Sequence, residues 1–97
     1  MRADTIDAIG IDDRGSLWVK PANSIFPNIY REAMEVQWDP NRRCLYGPPP
    51  RKWSYADWFR QIAAAASEQG VQLSIAPTTT WSGVAPDIRD AITREAR

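Results

Sequence analysis

The sequence contains no histidine and a single cysteine, Cys44. The chain therefore lacks the commonest general base, the commonest pH switch near neutrality and the commonest metal ligand. Cys44 and the run Thr78–Thr80 offer nucleophiles, but no imidazole is present to activate them. The sequence also has no glycine-rich phosphate loop and no zinc-ligand spacing. We therefore predict no catalytic residue, no cofactor and no metal site.

The chain also lacks an excess of charge and a long apolar run. Its 12 basic and 12 acidic residues give a formal net charge of zero, whereas nucleic-acid-binding domains usually carry a basic excess. No apolar segment approaches the roughly 20 residues of a membrane span, and the start, Met1–Asp4, does not resemble a signal peptide. A lone cysteine fits a reducing compartment. We expect no nucleic-acid or membrane partner and a cytoplasmic location.

What the chain does contain is enough apolar surface for a core. Of its 97 residues, 43% are hydrophobic and 25% are charged, which is typical of a soluble globular domain. Five are tryptophans, each able to bury a large area. The length predicts a single domain over residues 1–97.

The first half of the sequence predicts four strands. Thr5–Ile11 and Ser16–Lys20 flank a turn at Gly15, so we expect a hairpin whose ladder ends at Pro21. Residues 30–38 alternate between apolar and polar side chains, which favours a strand with Tyr30, Met34, Val36 and Trp38 on one face. Glu32 interrupts this alternation, so a helical turn near 28–33 stays open. A turn at 39–42 then leads to a return strand over 43–46.

The second half predicts two helices around one strand. Ser54 and Asp57 form a capping signature before a helix with one apolar stripe, and Gly70 ends it. A strand over 71–75 is expected to end at Pro77, and Pro86 begins a short last helix. The order β-β-β-β-α-β-α predicts an α+β fold. It is a mostly antiparallel sheet of about five strands, with the long amphipathic helix on one face and a short C-terminal helix.

Tryptophans outside the predicted core are the first candidates for a binding surface. Trp58 lies on the helical stripe and Trp38 beside Val36, so both are expected in the core. Trp18 lies opposite Leu17 and Val19, and Trp81 lies in a segment without a regular pattern. Because tryptophan is enriched at binding hot spots, Trp18 and Trp81 are candidates for a ligand or partner surface, together with Arg31 on the polar face of its strand. The alternative is that these tryptophans are half-buried core residues.

Basic residues near the prolines are the second candidate. Arg42, Arg43, Arg51 and Lys52 would form one anion-binding patch if the fold brought the two pairs together. The balanced charge favours a solvated surface instead. The segment 48–53 has the composition of a polyproline ligand, although it is also consistent with a stiff linker on which Trp53 packs.

The stretches Tyr30–Val36 and Trp53–Phe59 resemble small α+β proteins that are carried on mobile integron gene cassettes. The resemblance covers residues 15–92. It implies a compact bacterial cytoplasmic protein, often oligomeric and without an assigned function, and it supplies no catalytic residue.

Aromatic surplus without evident chemistry predicts a non-enzymatic binding or interaction module. We expect self-association into a homodimer, because an apolar sheet face that one helix leaves uncovered needs a partner or a ligand. One alternative is an immunity-like or antitoxin-like protein inhibitor, and another is a minimal hydrolase that uses carboxylates. A small-molecule ligand or another protein would equally fit the first hypothesis.

Overall fold

The computed structural model describes residues 1–96, which form a five-stranded sheet, two α-helices and a 3-10 helix. The elements are β1 (Arg2–Ile11), β2 (Leu17–Pro21), the 3-10 helix (Ile29–Arg31), β3 (Gln37–Asp39), β4 (Cys44–Tyr46), α1 (Tyr55–Glu68), β5 (Val71–Ser82) and α2 (Pro86–Glu95). The strand order is β3-β4-β2-β1-β5. Only the β1–β5 pair is parallel among these neighbours, which confirms the α+β class and the mostly antiparallel sheet. The single domain over 1–97 stays a prediction, and residue 97 lies outside the described residues.

The predicted hairpin between the first two strands is confirmed. β1 and β2 pair antiparallel, and Oδ1 of Asp12 accepts the backbone N–H groups of Arg14 and Ser16 at 3.0 Å each. Gly15 has a φ of 85°, a conformation that a residue with a Cβ adopts only with strain. The Tyr55 hydroxyl donates a hydrogen bond of 2.8 Å to the carbonyl of Gly15, so the first residue of α1 is fixed to this turn.

The long helix α1 begins and ends where the sequence predicts. The Ser54 hydroxyl accepts the N–H of Asp57 at 3.1 Å, and the Asp57 carboxylate accepts the N–H of Ser54 at 3.1 Å, which completes a capping box. Gly70, with a φ of 86°, follows the helix. The apolar stripe is buried through Trp58, Phe59, Ile62, Ala65 and Ala66.

The predicted strand over residues 30–38 is wrong except at its end, whereas the helical turn that Glu32 suggested is present. Backbone donors of this segment bond locally: the N–H groups of Glu32 and Ala33 bond to the carbonyl of Ile29, and that of Val36 bonds to Ala33. These bonds use donors that a strand would give to its neighbour. Tyr30 and Met34 are consequently exposed and not on a core face, while Val36 is buried.

The last strand, β5, continues past Pro77 to Ser82, so the predicted end of this strand at Pro77 is wrong. Ile6 pairs with Ile75 and Ala8 pairs with Thr80, so Ala76–Thr79 bulge out opposite Asp7. The hydroxyl of Thr79 accepts the N–H of Ala76 at 2.9 Å and donates to the carbonyl of Ile6 at 2.6 Å. Because the bulge lies on an edge strand, a proline without an N–H is tolerated there, and β5 continues to Ser82.

The paired registers place two rows of side chains on opposite faces of the sheet. The row on the face covered by the helices crosses all five strands and comprises Trp38, Leu45, Val19, Ile9 and Trp81. The neighbouring row points to the face without helices and comprises Gln37, Tyr46, Trp18, Gly10 and Ser82. We call this second face the open face. The core lies on the first face, where Phe26 also packs edge-on against Trp38 at 5.9 Å between ring centroids.

Candidate functional site

The segment between β4 and α1 forms one wall of a pocket of about 670 Å³, which we call the proline pocket. It is lined by three prolines, two tryptophans, two basic residues and one acid: Pro48, Pro49, Pro50, Trp53, Trp58, Arg51, Lys52 and Glu35. A volume in this range, with apolar walls and a few polar groups, is typical of small-molecule sites in proteins. The pocket therefore has the size and surface of a ligand site.

Two indoles of different exposure shape the proline pocket. Trp58 is 6% exposed and is held by α1 with its ring against Gly47, where an added Cβ would lie 3.0 Å from Cε3 of Trp58. Trp53 is 45% exposed, and its ring centroid lies 5.1 Å from that of Trp58 at an interplanar angle of 54°. The buried indole thus fixes the floor, and the exposed indole leaves an aromatic face open to solvent.

The charge at this pocket is cationic. Arg51 and Lys52 are both exposed, and Glu35 is the one acid among the described residues that line the pocket, so the lining carries two positive charges against one negative. Within residues 1–96, the ion pairs closer than 4.0 Å join Arg60 to Asp57 and to Glu95 and involve neither basic residue of the pocket. The two cations are therefore available to a ligand.

A second pocket of about 410 Å³ lies at the open face, beside the β1–β2 turn. Its lining mixes both signs of charge: Asp12, Asp13, Asp39, Arg14, Arg42, Ser16 and Tyr46. Asp39 builds the turn between β3 and β4, since its Oδ1 accepts the N–H groups of Asn41 and Arg42 at 2.9 and 3.1 Å. The oxygen of Asp12 is likewise used by its own turn, so these acids have a structural task.

The sequence-predicted aromatic candidates lie on opposite faces of the sheet. Trp18 is half-buried on the open face, with the guanidinium of Arg42 5.6 Å from its ring centroid. Trp81 packs against the core on the other face, where the guanidinium of Arg89 lies 5.1 Å from its ring centroid. Arg31 is exposed on the 3-10 helix. Because the sheet separates the two indoles, they do not share one surface.

The structure places the predicted basic residues at two different pockets. Arg42 lines the pocket at the open face, whereas Arg51 and Lys52 line the proline pocket. Arg43 lies in the turn before β4 with a φ of 55°. A single patch of all four residues stays a prediction. Trp53 lines the proline pocket although the sequence pattern does not single it out as a candidate site residue. The adjacent pair Arg51 and Lys52 is the sequence feature that indicates an exposed indole at the next position, Trp53.

Within residues 1–96, the protein environment shifts the pKa of the Asp4 carboxyl and the pKa of the Cys44 thiol. Burial would raise the pKa of the Asp4 carboxyl, but hydrogen bonds from the Ser24 and Asn23 side chains and backbones together lower it below its ordinary value. Those backbone bonds measure 2.8 Å from Ser24 and 3.1 Å from Asn23. Burial also raises the pKa of the Cys44 thiol, because the thiolate would lose its hydration. Asp4 thus anchors the chain after β2, and Cys44 is a buried thiol whose protonated form is favoured.

Residues 1–96 contain neither a cluster of metal-ligating side chains nor a helix that could span a membrane. No three acidic or cysteine side chains in this part of the chain are grouped so that they could hold a metal ion. Neither α-helix there has the length and apolarity that crossing a bilayer requires.

The fold is that of a small α+β protein with a mixed five-stranded sheet. The family model of the integron cassette protein Hfx_Cass5 matches residues 4–79. A solved structure of the integron cassette protein Hfx_Cass5, from the mobile metagenome of North West Arm Sewage Outfall, is 50% identical to this chain. The match covers 99% of this chain and 97% of that one, with a TM-score of 0.50. No curated protein matches the sequence. The chain therefore belongs to the Hfx_Cass5 family of integron cassette proteins, as its resemblance implied.

Proposed function

We propose that the protein is a non-enzymatic binding module that takes a small apolar molecule in the proline pocket. The observation that carries the proposal is the exposed indole of Trp53, which forms an open aromatic wall beside the fixed Trp58. The exposed part of the Trp53 indole contributes little to folding because it stays in water. A ligand stacked on the indole would remove that surface from water. The pocket volume of about 670 Å³ suits such a ligand.

The proposal is tested with phenylnaphthylamine, a neutral apolar dye whose emission rises in apolar surroundings. We expect saturable binding by the wild type that also quenches tryptophan emission, and loss of most of this binding in Trp53→Ala. Trp18→Phe is the matched control, because Trp18 lies at the open face and away from the prolines. Equal dye binding by wild type and Trp53→Ala would remove the proline pocket as the site.

We also propose that the module self-associates into a homodimer along β5. This strand is an edge of the sheet, and its stretch Val71–Ile75 pairs on one side with β1. An unpaired strand edge is a template for a second strand. Gln72 and Ser74 are exposed in this stretch, so Gln72→Lys with Ser74→Lys would place charges at the edge without disturbing the core.

Sedimentation equilibrium tests this second part. We expect a concentration-dependent dimer for the wild type and a monomer for Gln72→Lys/Ser74→Lys. The control is Asn28→Lys/Asn41→Lys, which adds the same two charges at exposed positions outside β5. A wild type that stays monomeric at every concentration would refute self-association and leave the ligand site unaffected.

A cytoplasmic location is part of the same proposal. The single cysteine of the sequence, Cys44, is free and buried, which suits a compartment where thiols stay reduced.

A further inference from the structure

We infer that the proline pocket selects a flat aromatic monoanion, such as an aromatic carboxylate, over a neutral molecule of the same shape. This inference rests on the proposed ligand site and names the chemical class that the site prefers. It combines two features of the pocket, an angled pair of indoles and an unbalanced pair of cations.

The indoles determine the shape of the ligand. Trp53 and Trp58 stand at an interplanar angle of 54° with ring centroids 5.1 Å apart, and three prolines line the same pocket. Aromatic faces and proline rings are flat apolar surfaces that a planar ring covers better than a branched aliphatic group does. The ligand that fills this space is therefore a planar aromatic system.

The basic residues determine its charge. Arg51 and Lys52 follow the last proline directly and precede Trp53, so the chain places both cations at the edge of the aromatic wall. Neither one is joined in an ion pair with another described residue. A guanidinium beside an apolar wall binds a carboxylate through paired N–H groups, while the ring of the same ligand stacks on the indole. A single negative charge complements the lining, in which Glu35 offsets one of the two cations.

Two dyes with the same aromatic skeleton test the inference directly. Anilinonaphthalene sulfonate carries one negative charge, whereas phenylnaphthylamine carries none. For the wild type, we expect the anionic dye to bind about fivefold more tightly than the neutral dye. We expect added salt to weaken the binding of the anionic dye only. Naphthoate should displace the bound dye at concentrations where naphthylmethanol does not, which identifies the carboxylate as the group that is recognised.

Charge variants then assign the preference to the pocket. In Arg51→Gln/Lys52→Gln we expect the two dyes to bind with affinities within about twofold of each other. The matched control is Arg14→Gln/Arg42→Gln, which removes the same charge at the other pocket and should retain the wild-type preference. All four positions are exposed, so both variants should fold, and circular dichroism of each verifies this.

The outcomes separate the inference from the proposed function. If both dyes bind the wild type with equal affinity and both depend on Trp53, the ligand site stands and the preference for an anion is overturned. A preference that persists in Arg51→Gln/Lys52→Gln, or that disappears in Arg14→Gln/Arg42→Gln, also overturns it. If neither dye requires Trp53, both the site and the inference fall.

Discussion

The indole of Trp18 lies directly over Gly10 on the neighbouring strand, in the space that a Cβ at position 10 would occupy. A Cβ built there would collide with the six-membered ring of Trp18 and would lie 2.7 Å from its Nε1. The two residues are register partners in the β1–β2 ladder. Gly10 is thus required by the width of the indole and by no special backbone angle, and the pair fixes Trp18 flat on the open face.

Gly10→Ala should therefore destabilise the protein by about 1–3 kcal/mol, because the added methyl group must push the indole or the strand aside. Tryptophan emission should shift to the red as Trp18 becomes more exposed. Chemical denaturation and fluorescence measure both effects. In the background Trp18→Ala the same substitution should cost much less, and equal costs in the two backgrounds would contradict the contact.

The carboxylate of Asp4 should make stability depend on acid pH. Hydrogen bonds lower its pKa in the folded protein below the ordinary value of 3.8, so the unfolded chain binds a proton more readily. The stabilisation is full above that ordinary value and is lost as the pH falls through the lower folded pKa. Asp4→Asn should cost about 2 kcal/mol near neutrality, because an amide offers one oxygen where the carboxylate offers two.

Urea unfolding of the wild type and Asp4→Asn between pH 7 and pH 2, read against each other, measures this effect. The difference between the two proteins should shrink as the pH falls below the ordinary value. Asp7→Asn is the control, since this exposed carboxylate on the same strand forms no side-chain hydrogen bond in the part of the chain that the structure describes. A difference that is constant with pH would contradict a role for the charged form.

The bulge of β5 should depend on the hydroxyl of Thr79. This buried group bonds both to the N–H of Ala76 and to the carbonyl of Ile6, so Thr79→Val leaves a donor and an acceptor without their partner. We expect a loss of about 1–3 kcal/mol in the free energy of unfolding. Thr78→Val, one position earlier and exposed, should change stability by less than about 0.5 kcal/mol. Equal effects of the two substitutions would show that the hydroxyl is dispensable.

The thiol of Cys44 should be unreactive in the folded protein. It is 1% exposed, and burial raises its pKa, so little thiolate is present and reagents have no access to it. Reaction with Ellman's reagent should be slow under native conditions and should become fast in urea. A fast stoichiometric reaction of the native protein would contradict the burial of Cys44.

The parts of the fold that were predictable from sequence are those that local chemistry decides. The Ser54–Asp57 box, Gly15 and Gly70 each act within a few residues, and all three were located correctly. The predicted end of the strand at Pro77 is wrong because the tolerance of this proline depends on a bulge held by Ile6, a residue far away in sequence. Residues 30–36 alternate like a strand, but local bonds around Ile29 outweigh that periodicity. The proline pocket was missed for a similar reason, since it requires Glu35 and Trp58 to meet the prolines in space.

The parallel pairing of β1 with β5 has a consequence for the order of events during synthesis. Arg2 pairs with Val71 and Gly10 pairs with Ser82, so β1 leaves the ribosome before β5 and meets this neighbour only after β2, β3, β4 and α1 have followed. Until then one edge of β1 stays open, and the hairpin with β2 must hold it alone. Contacts that are this distant in sequence slow folding and prolong the exposure of an unpaired, aggregation-prone strand edge. A nascent chain that stalls before β5 has emerged is the species in which we expect aggregation to begin.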